Sequence, residues 1–244
     1  MLKILFSPSE GKKAGGSLQK GELFGALNAR DEILNSYNEI VTSGDEEQIL
    51  QLFGIKKIKD AQPYMENIFT APHMPAIERY SGVAYDYLAY EQLTESEQTY
   101  LQKNTLIFSN LYGPILGGDP IPMYKVKQGN KIGTIAPEKF YKERFSYQLD
   151  LFLQQEEILD LRAGYYDKFY KTTQPYTTLK FLKDGKSVSH WAKAYRGSVL
   201  RALAENNISS LDEFRAMEIE GLQVKEIQVI KNKTEIVFDI INNK

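Results

Sequence analysis

No cysteine occurs in the chain, so disulfides, zinc knuckles, iron–sulfur clusters and a thiolate nucleophile are all excluded. Histidine is nearly as scarce: only His73 and His190 occur, and a His-rich zinc site would need both together with carboxylates. No metal site and no cofactor are therefore expected. Long apolar runs are missing as well, since none approaches the roughly 18 residues that a membrane span requires. The apolar stretch Leu2-Lys3-Ile4-Leu5-Phe6 is too short for a signal peptide and meets Ser7-Pro8-Ser9-Glu10 at once, which points to a cytoplasmic protein away from membranes. Repeats, low-complexity tracts and linkers are also lacking, so the 244 residues read as one domain over 1–244.

What is present is a globular composition, 42% hydrophobic and 25% charged. The formal net charge of −2 conceals a pattern. Residues 1–124 carry 10 basic and 16 acidic groups, residues 125–201 carry 15 and 8, and residues 202–244 carry 5 and 8. The middle segment is thus +7, and it also holds Tyr141, Tyr147, Tyr165, Tyr166, Tyr170, Tyr176, Trp191 and Tyr195. Cations interleaved with flat rings suit nucleic acid or phosphate recognition. The plainer alternative scatters the cations over helix surfaces and buries the rings in the core, and a pI of 5.9 argues against a committed polybasic binder.

Residues 3–6 read as a short buried strand, since Ile4-Leu5-Phe6 is an apolar run stopped by Ser7-Pro8. The small-residue loop 7–16 follows, where backbone N–H groups are free to bind an anion, although the Walker spacing is missing. Helical periodicity covers 24–42 and 46–53, separated by Ser43-Gly44-Asp45. Further helices are predicted over 64–69, 85–90, 95–103, 140–153, 192–206 and 211–217, the third opened by the capping box Thr94-Glu95-Ser96-Glu97. Strands are predicted at 105–109 and 157–161. Hairpins are predicted at 124–132 around Gly129, at 179–190 across Asp184-Gly185, and at 222–241 around Asn232-Lys233. Strands separated by helices early and hairpins late give an α+β fold, a mixed β-sheet covered by helices.

Six segments in order are similar to the YaaA family, the peroxide stress proteins. They are Leu5-Phe6-Ser7-Pro8-Ser9-Glu10-Gly11-Lys12, Tyr80-Ser81-Gly82-Val83-Ala84-Tyr85, Ser109-Asn110-Leu111-Tyr112-Gly113, Asp119-Pro120-Ile121, Asp160-Leu161-Arg162 and Ser189-His190-Trp191-Ala192-Lys193-Ala194-Tyr195-Arg196-Gly197. The resemblance implies a cytoplasmic bacterial protein that helps cells survive hydrogen peroxide by limiting unincorporated iron, and that binds DNA. It also implies a helix-hairpin-helix element, whose Gly-rich hairpin aims backbone N–H groups at a phosphate. The nearest candidate here is a degenerate one near 46–61, with Gly54-Ile55 as hairpin and Lys56 where the second glycine would stand.

Glu10 and Lys12 follow the first strand, where the carboxyl edge of a sheet commonly forms a ligand crevice. Lys193 and Arg196 share one helix face just after His190, so their charges can converge on one anion. Arg162 and Tyr112 each end a strand and are candidates for the same crevice. Asp119 is as suited to fixing its turn as to meeting a ligand, and His73 reads as a loop residue. Two functions fit these residues. One is a DNA-binding stress protein without catalysis, sequence-tolerant because no groove-reading helix is identifiable, with Lys12, Tyr112, Arg162, Lys193 and Arg196 as contacts. The other is an enzyme acting on a nucleobase or a nucleotide-like small molecule, with Glu10 as general base and Lys12, Lys193 and Arg196 stabilising negative charge. A long basic groove favours the first, a closed pocket holding Glu10, Lys12 and Lys193 the second.

Overall fold

The computed structural model describes residues 1–17, 19–25 and 27–241, the side chains of Leu27, Ser189 and His190 apart. From the N-terminus the elements are β1 (Leu2–Phe6), β2 (Gly11–Lys12), α1 (Asp31–Thr42), α2 (Glu46–Phe53), β3 (Met74–Pro75), α3 (Ala76–Arg79), β4 (Tyr80–Ser81) and α4 (Val83–Leu88). The middle of the chain adds α5 (Glu95–Asn104), β5 (Thr105–Ser109), β6 (Gly113–Leu116), β7 (Pro120–Ile121) and α6 (Pro137–Leu153). The last third supplies β8 (Glu157–Asp160), β9 (Tyr176–Lys183), β10 (Lys186–Ser187), α7 (Ser189–Glu205), α8 (Leu211–Ala216), β11 (Leu222–Ile230) and β12 (Lys233–Ile240).

One eight-stranded sheet runs in the order β11-β12-β9-β8-β1-β5-β6, with β10 paired onto β9. The fold is α+β around this mixed sheet, as the element pattern predicts. Its centre is parallel: β12, β9, β8, β1 and β5 all run the same way, while β6 and β11 are antiparallel at the two edges. Burial explains why β1 can sit at the centre. All five of its residues are buried, and four of them are apolar, with Lys3 the exception, as suits a parallel strand covered on both faces.

The strand order places a crevice. β1 pairs with β5 on one side and β8 on the other, and the chain then continues outward to β9. The connections leaving the carboxyl ends of β1 and β8 therefore diverge. Such a switch in strand order opens a gap at the ends of parallel strands. Helix α7 is held over this gap by α4. A Cβ at Gly197 would lie 1.9 Å from the Ala84 carbonyl oxygen, so the two backbones approach as only glycine permits.

Several local expectations are corrected, each by a competing hydrogen bond or dihedral angle. The helix predicted from residue 24 starts at Asp31, because Gly25 has φ 71° and the Phe24 N–H donates to the Asp119 carboxylate at 2.7 Å. The helix predicted over 64–69 is a 3-10 turn at Gln62–Tyr64, followed by an Asn67 side chain that captures the Phe69 N–H at 2.9 Å. No hairpin forms over 124–132. The Lys127 N–H donates instead to Leu52 O at 3.1 Å, and the Asn130 amide to Gln51 O, so this strap is tied to the end of α2. The strand predicted over 187–190 ends at Ser187, and Ser189 already begins α7. Near 46–61, α2 is followed only by 3-10 turns at Ile58–Asp60 and Gln62–Tyr64, so the second helix of a helix-hairpin-helix does not form. Gly54 takes a left-handed C-cap conformation there. The Gly54 and Ile55 N–H groups both donate to Leu50 O, at 2.9 and 3.2 Å, and so are already used.

Candidate functional site

A crevice of about 330 Å³ lies at the carboxyl ends of β1 and β8. Phe6 and Leu161 line it at the strand ends, and Ser7, Pro8, Ser9 and Glu10 come from the loop after β1. Ala163 and Tyr166 follow β8, and Gly82, Val83, Ala84 and Tyr85 come from the start of α4. Gln128 of the strap and Lys193 and Arg196 of α7 complete it. The two loops are cross-linked: the Ser7 hydroxyl accepts the Ala163 N–H at 2.8 Å, and the Tyr85 hydroxyl donates to Ser7 O at 3.0 Å. Phe6 meets the Tyr85 ring edge-on at 5.5 Å. These contacts fix the walls without consuming the charged groups.

Arg196 is half-buried, yet among the described residues it makes no hydrogen bond or ion pair. Burial lowers its pKa, with Asp160 opposing the shift. A guanidinium carries five N–H donors, and one partly withdrawn from water without acceptors is a group suited to an anion. Lys193 is exposed on the same helix, one turn earlier. Glu10 supplies the opposite charge. Its Oε1 accepts the Gln128 N–H at 3.2 Å, and its Oε2 lies 3.8 Å from Lys125 Nζ.

Three of the predicted contacts lie outside the lining. Arg162 follows β8 between Leu161 and Ala163, which line the crevice, but is not itself among the lining residues. It is 5% exposed and grips Asp160 with two bonds, Nε to Oδ1 at 2.9 Å and Nη2 to Oδ2 at 2.7 Å; Nη1 donates to Tyr166 O and Tyr170 O. Its donors are spent on the protein. Tyr112 is 4% exposed and packs its ring against Tyr124 at 5.4 Å, away from the lining residues. Lys12 turns under the loop that forms the wall: Nζ donates to Ser9 O at 3.2 Å and Glu10 O at 3.4 Å, and sits 3.9 Å from the Tyr124 ring centroid. Burial holds its pKa well below the usual lysine value, Lys125 adding to the effect and Glu10 opposing it. Lys12 thus supports the wall rather than facing its interior.

Behind Lys12 the Tyr80 and Tyr124 hydroxyls share a bond at 2.6 Å, and Tyr124 meets Ser109 Oγ at 2.7 Å. Burial raises the Tyr80 phenol to about 12. Asp119 fixes its turn, accepting the Phe24 and Leu116 N–H groups at 2.7 and 3.0 Å. His73 is a buried loop residue bonded to Ala71 O. The His190 side chain lies outside the described residues. Among the described residues no group of three or more histidine, aspartate or glutamate side chains is placed to hold a metal ion, and no helix is long and apolar enough to cross a membrane.

Comparison with known proteins adds a family. The family model described as peroxide stress protein YaaA matches residues 2–228. The chain belongs to the YaaA family. An uncharacterized protein of Campylobacter jejuni is 44% identical over 249 residues, covering 99% of this chain and 100% of that protein. A UPF0246 protein of Corynebacterium efficiens is 33% identical over 82% of this chain and 84% of its own. Another from Fusobacterium nucleatum is 28% identical over 95% and 97%.

Four of the six segments that carry the YaaA resemblance meet at the crevice, through residues 6–10, 82–85, 161 and 193–196. The segment 109–113 lies behind it through Ser109, and Asp119 secures a turn elsewhere. Ser7 lies within the loop 7–16 that the sequence marks for anion binding; sequence reasoning missed Tyr85, Tyr166 and Gln128 as lining residues. Gly82-Val83-Ala84-Tyr85 stood inside a recognised segment, whereas nothing in the sequence singles out Gln128. Two buried arginines were missed as well. Arg79 Nη1 donates to Lys13 O and Gly15 O at 2.7 and 2.9 Å. Arg30 is 0% exposed, and its guanidinium donates to Phe24 O, Tyr112 O and Pro114 O.

Proposed function

We propose that this YaaA-family protein serves the peroxide stress response as a sequence-tolerant DNA-binding protein. In this reading it holds a phosphate in the crevice and limits the damage that unincorporated iron does to DNA in the cytoplasm. The observation that carries the DNA part is the Arg196 guanidinium, which lines the crevice beside Lys193 with no hydrogen-bond or ion-pair partner among the described residues. The family description supports the peroxide-stress part. The absence of cysteine makes any protection indirect, because thiolate turnover of peroxide is unavailable to the chain.

The test is made in cells. A deletion strain under peroxide should accumulate excess DNA lesions that an iron chelator largely relieves. Wild-type protein should restore the low level, and Arg196→Ala should not. Lesions that persist under chelation would detach the protein from iron, and full rescue by Arg196→Ala would detach its action from the crevice.

One observation favours the second reading, an enzyme acting on a nucleobase or nucleotide. The site is a confined crevice with Glu10 among its lining residues, not a groove many nucleotides long. Because Lys12 is turned away, Glu10 would act as general base with Arg196 and Lys193 alone stabilising charge. Steady turnover of a nucleotide by wild-type protein that vanishes in Glu10→Gln would establish this reading.

A further inference from the structure

We infer that the occupant of the crevice is a single nucleotide unit whose base carries an amine, bound with its phosphate on Arg196 and Lys193 and its base edge on Glu10. The inference rests on the proposed phosphate site and goes beyond it by naming the base at that one position; along the rest of a strand the binding stays sequence-tolerant.

The lining holds charges of opposite sign. Arg196 offers donors that no described residue accepts, and Lys193 adds a second cation. Glu10 is an acceptor with capacity left over. Its Oε1 takes one N–H, from Gln128, and the Lys125 ammonium at 3.8 Å from Oε2 is beyond hydrogen-bond length, whereas a carboxylate has about four lone-pair sites. A ligand that satisfies both must therefore be anionic at one end and present N–H donors at the other.

Phe6, Val83, Tyr85, Leu161 and Tyr166 supply apolar wall, which suits a flat ring bearing few polar atoms on its faces. The volume, about 330 Å³, lies at the lower end of the roughly 300–1,000 Å³ typical of ligand pockets. That holds one nucleotide and no base pair. Adenine and cytosine present exocyclic amino donors that a carboxylate accepts, whereas uracil and thymine present carbonyl oxygens there, which a carboxylate repels. A free nucleotide and an unpaired nucleotide within a strand share this chemistry.

Calorimetric titration of the whole chain tests the inference, with inorganic phosphate, ribose 5-phosphate, AMP, CMP, UMP and short oligo-dA and oligo-dT strands as probes. AMP and CMP should bind about ten-fold tighter than UMP and ribose 5-phosphate. Glu10→Gln should bring AMP and CMP level with UMP, by weakening the first two and relieving UMP of the carboxylate's repulsion, and an unchanged urea unfolding midpoint shows the variant folded; Arg196→Ala should weaken every probe. Discrimination between oligo-dA and oligo-dT without binding of AMP would place the nucleotide in a strand, and the reverse would make it a free metabolite. Equal affinity for AMP, UMP and ribose 5-phosphate would overturn the base assignment while leaving the phosphate site intact. No effect of Arg196→Ala on any probe would overturn both.

Discussion

Three arginines show what separates a structural cation from one available to a ligand. Arg30 and Arg162 are buried, and their donors end on backbone carbonyls or on Asp160. Arg196 has no such partners among the described residues. Replacing Arg30 by Ala leaves buried carbonyls without donors, at a cost of about 1–3 kcal/mol for each, whereas Arg196→Ala should change stability by about 0.5 kcal/mol or less. Urea unfolding of the two variants decides it; equal losses would make Arg196 a structural residue. Lys12 gives a pH signature. Its folded pKa is depressed by burial, so between that value and the ordinary lysine value the unfolded chain binds more protons. Stability should therefore rise with pH across that window and fall as pH drops through the folded value. Lys12→Met should flatten the rise across that window, read below the ordinary tyrosine range of about 10. An unaltered slope in the variant would show that Lys12 is not held out of water.

Among the elements, the contact of α4 with α7 sets the width of the crevice. Gly197→Ala forces a methyl into the Ala84 carbonyl and should cost about 1–3 kcal/mol, as overpacking does. It should also displace Lys193 and Arg196 and weaken anion binding in parallel. Reduced stability with undiminished binding would mean that the crevice does not depend on this contact. The elements most legible in the sequence were those governed by local chemistry. β1 was readable as an apolar run cut by Ser7-Pro8. The start of α5 was readable because Thr94 and Glu97 form the capping box, the Thr94 N–H donating to Glu97 Oε2 at 2.7 Å. The β11–β12 hairpin followed from its turn residues. Failures came where distant groups intervene: Asp119 stops the helix predicted at 24, and α2 claims the strap predicted as a hairpin. The convergence of residues 7–10 with Lys193 and Arg196 was foreseeable from strand and helix ends. The buried engagement of Arg162 was not, because the Tyr166 and Tyr170 carbonyls that take its donors beside Asp160 reach it only in the folded chain.

For the whole molecule, the parallel centre and its divergent connections collect residues from opposite ends of the chain at one crevice, which no local segment could build alone. With no cysteine anywhere, purified protein should not consume hydrogen peroxide catalytically, and a peroxide-decay assay on metal-free protein checks this. Rapid decay would require chemistry that the composition does not supply. The central claim is that the crevice holds nucleic acid by phosphate, and the salt dependence of single-strand DNA binding tests it most directly. Affinity should fall with salt at a log–log slope of about −0.7 per neutralised phosphate, and the Lys193→Ala, Arg196→Ala double variant should bind more weakly with a slope shallower by about one such increment per lost contact. A double variant with unchanged affinity and slope would contradict the account, placing DNA elsewhere on the protein or nowhere on it.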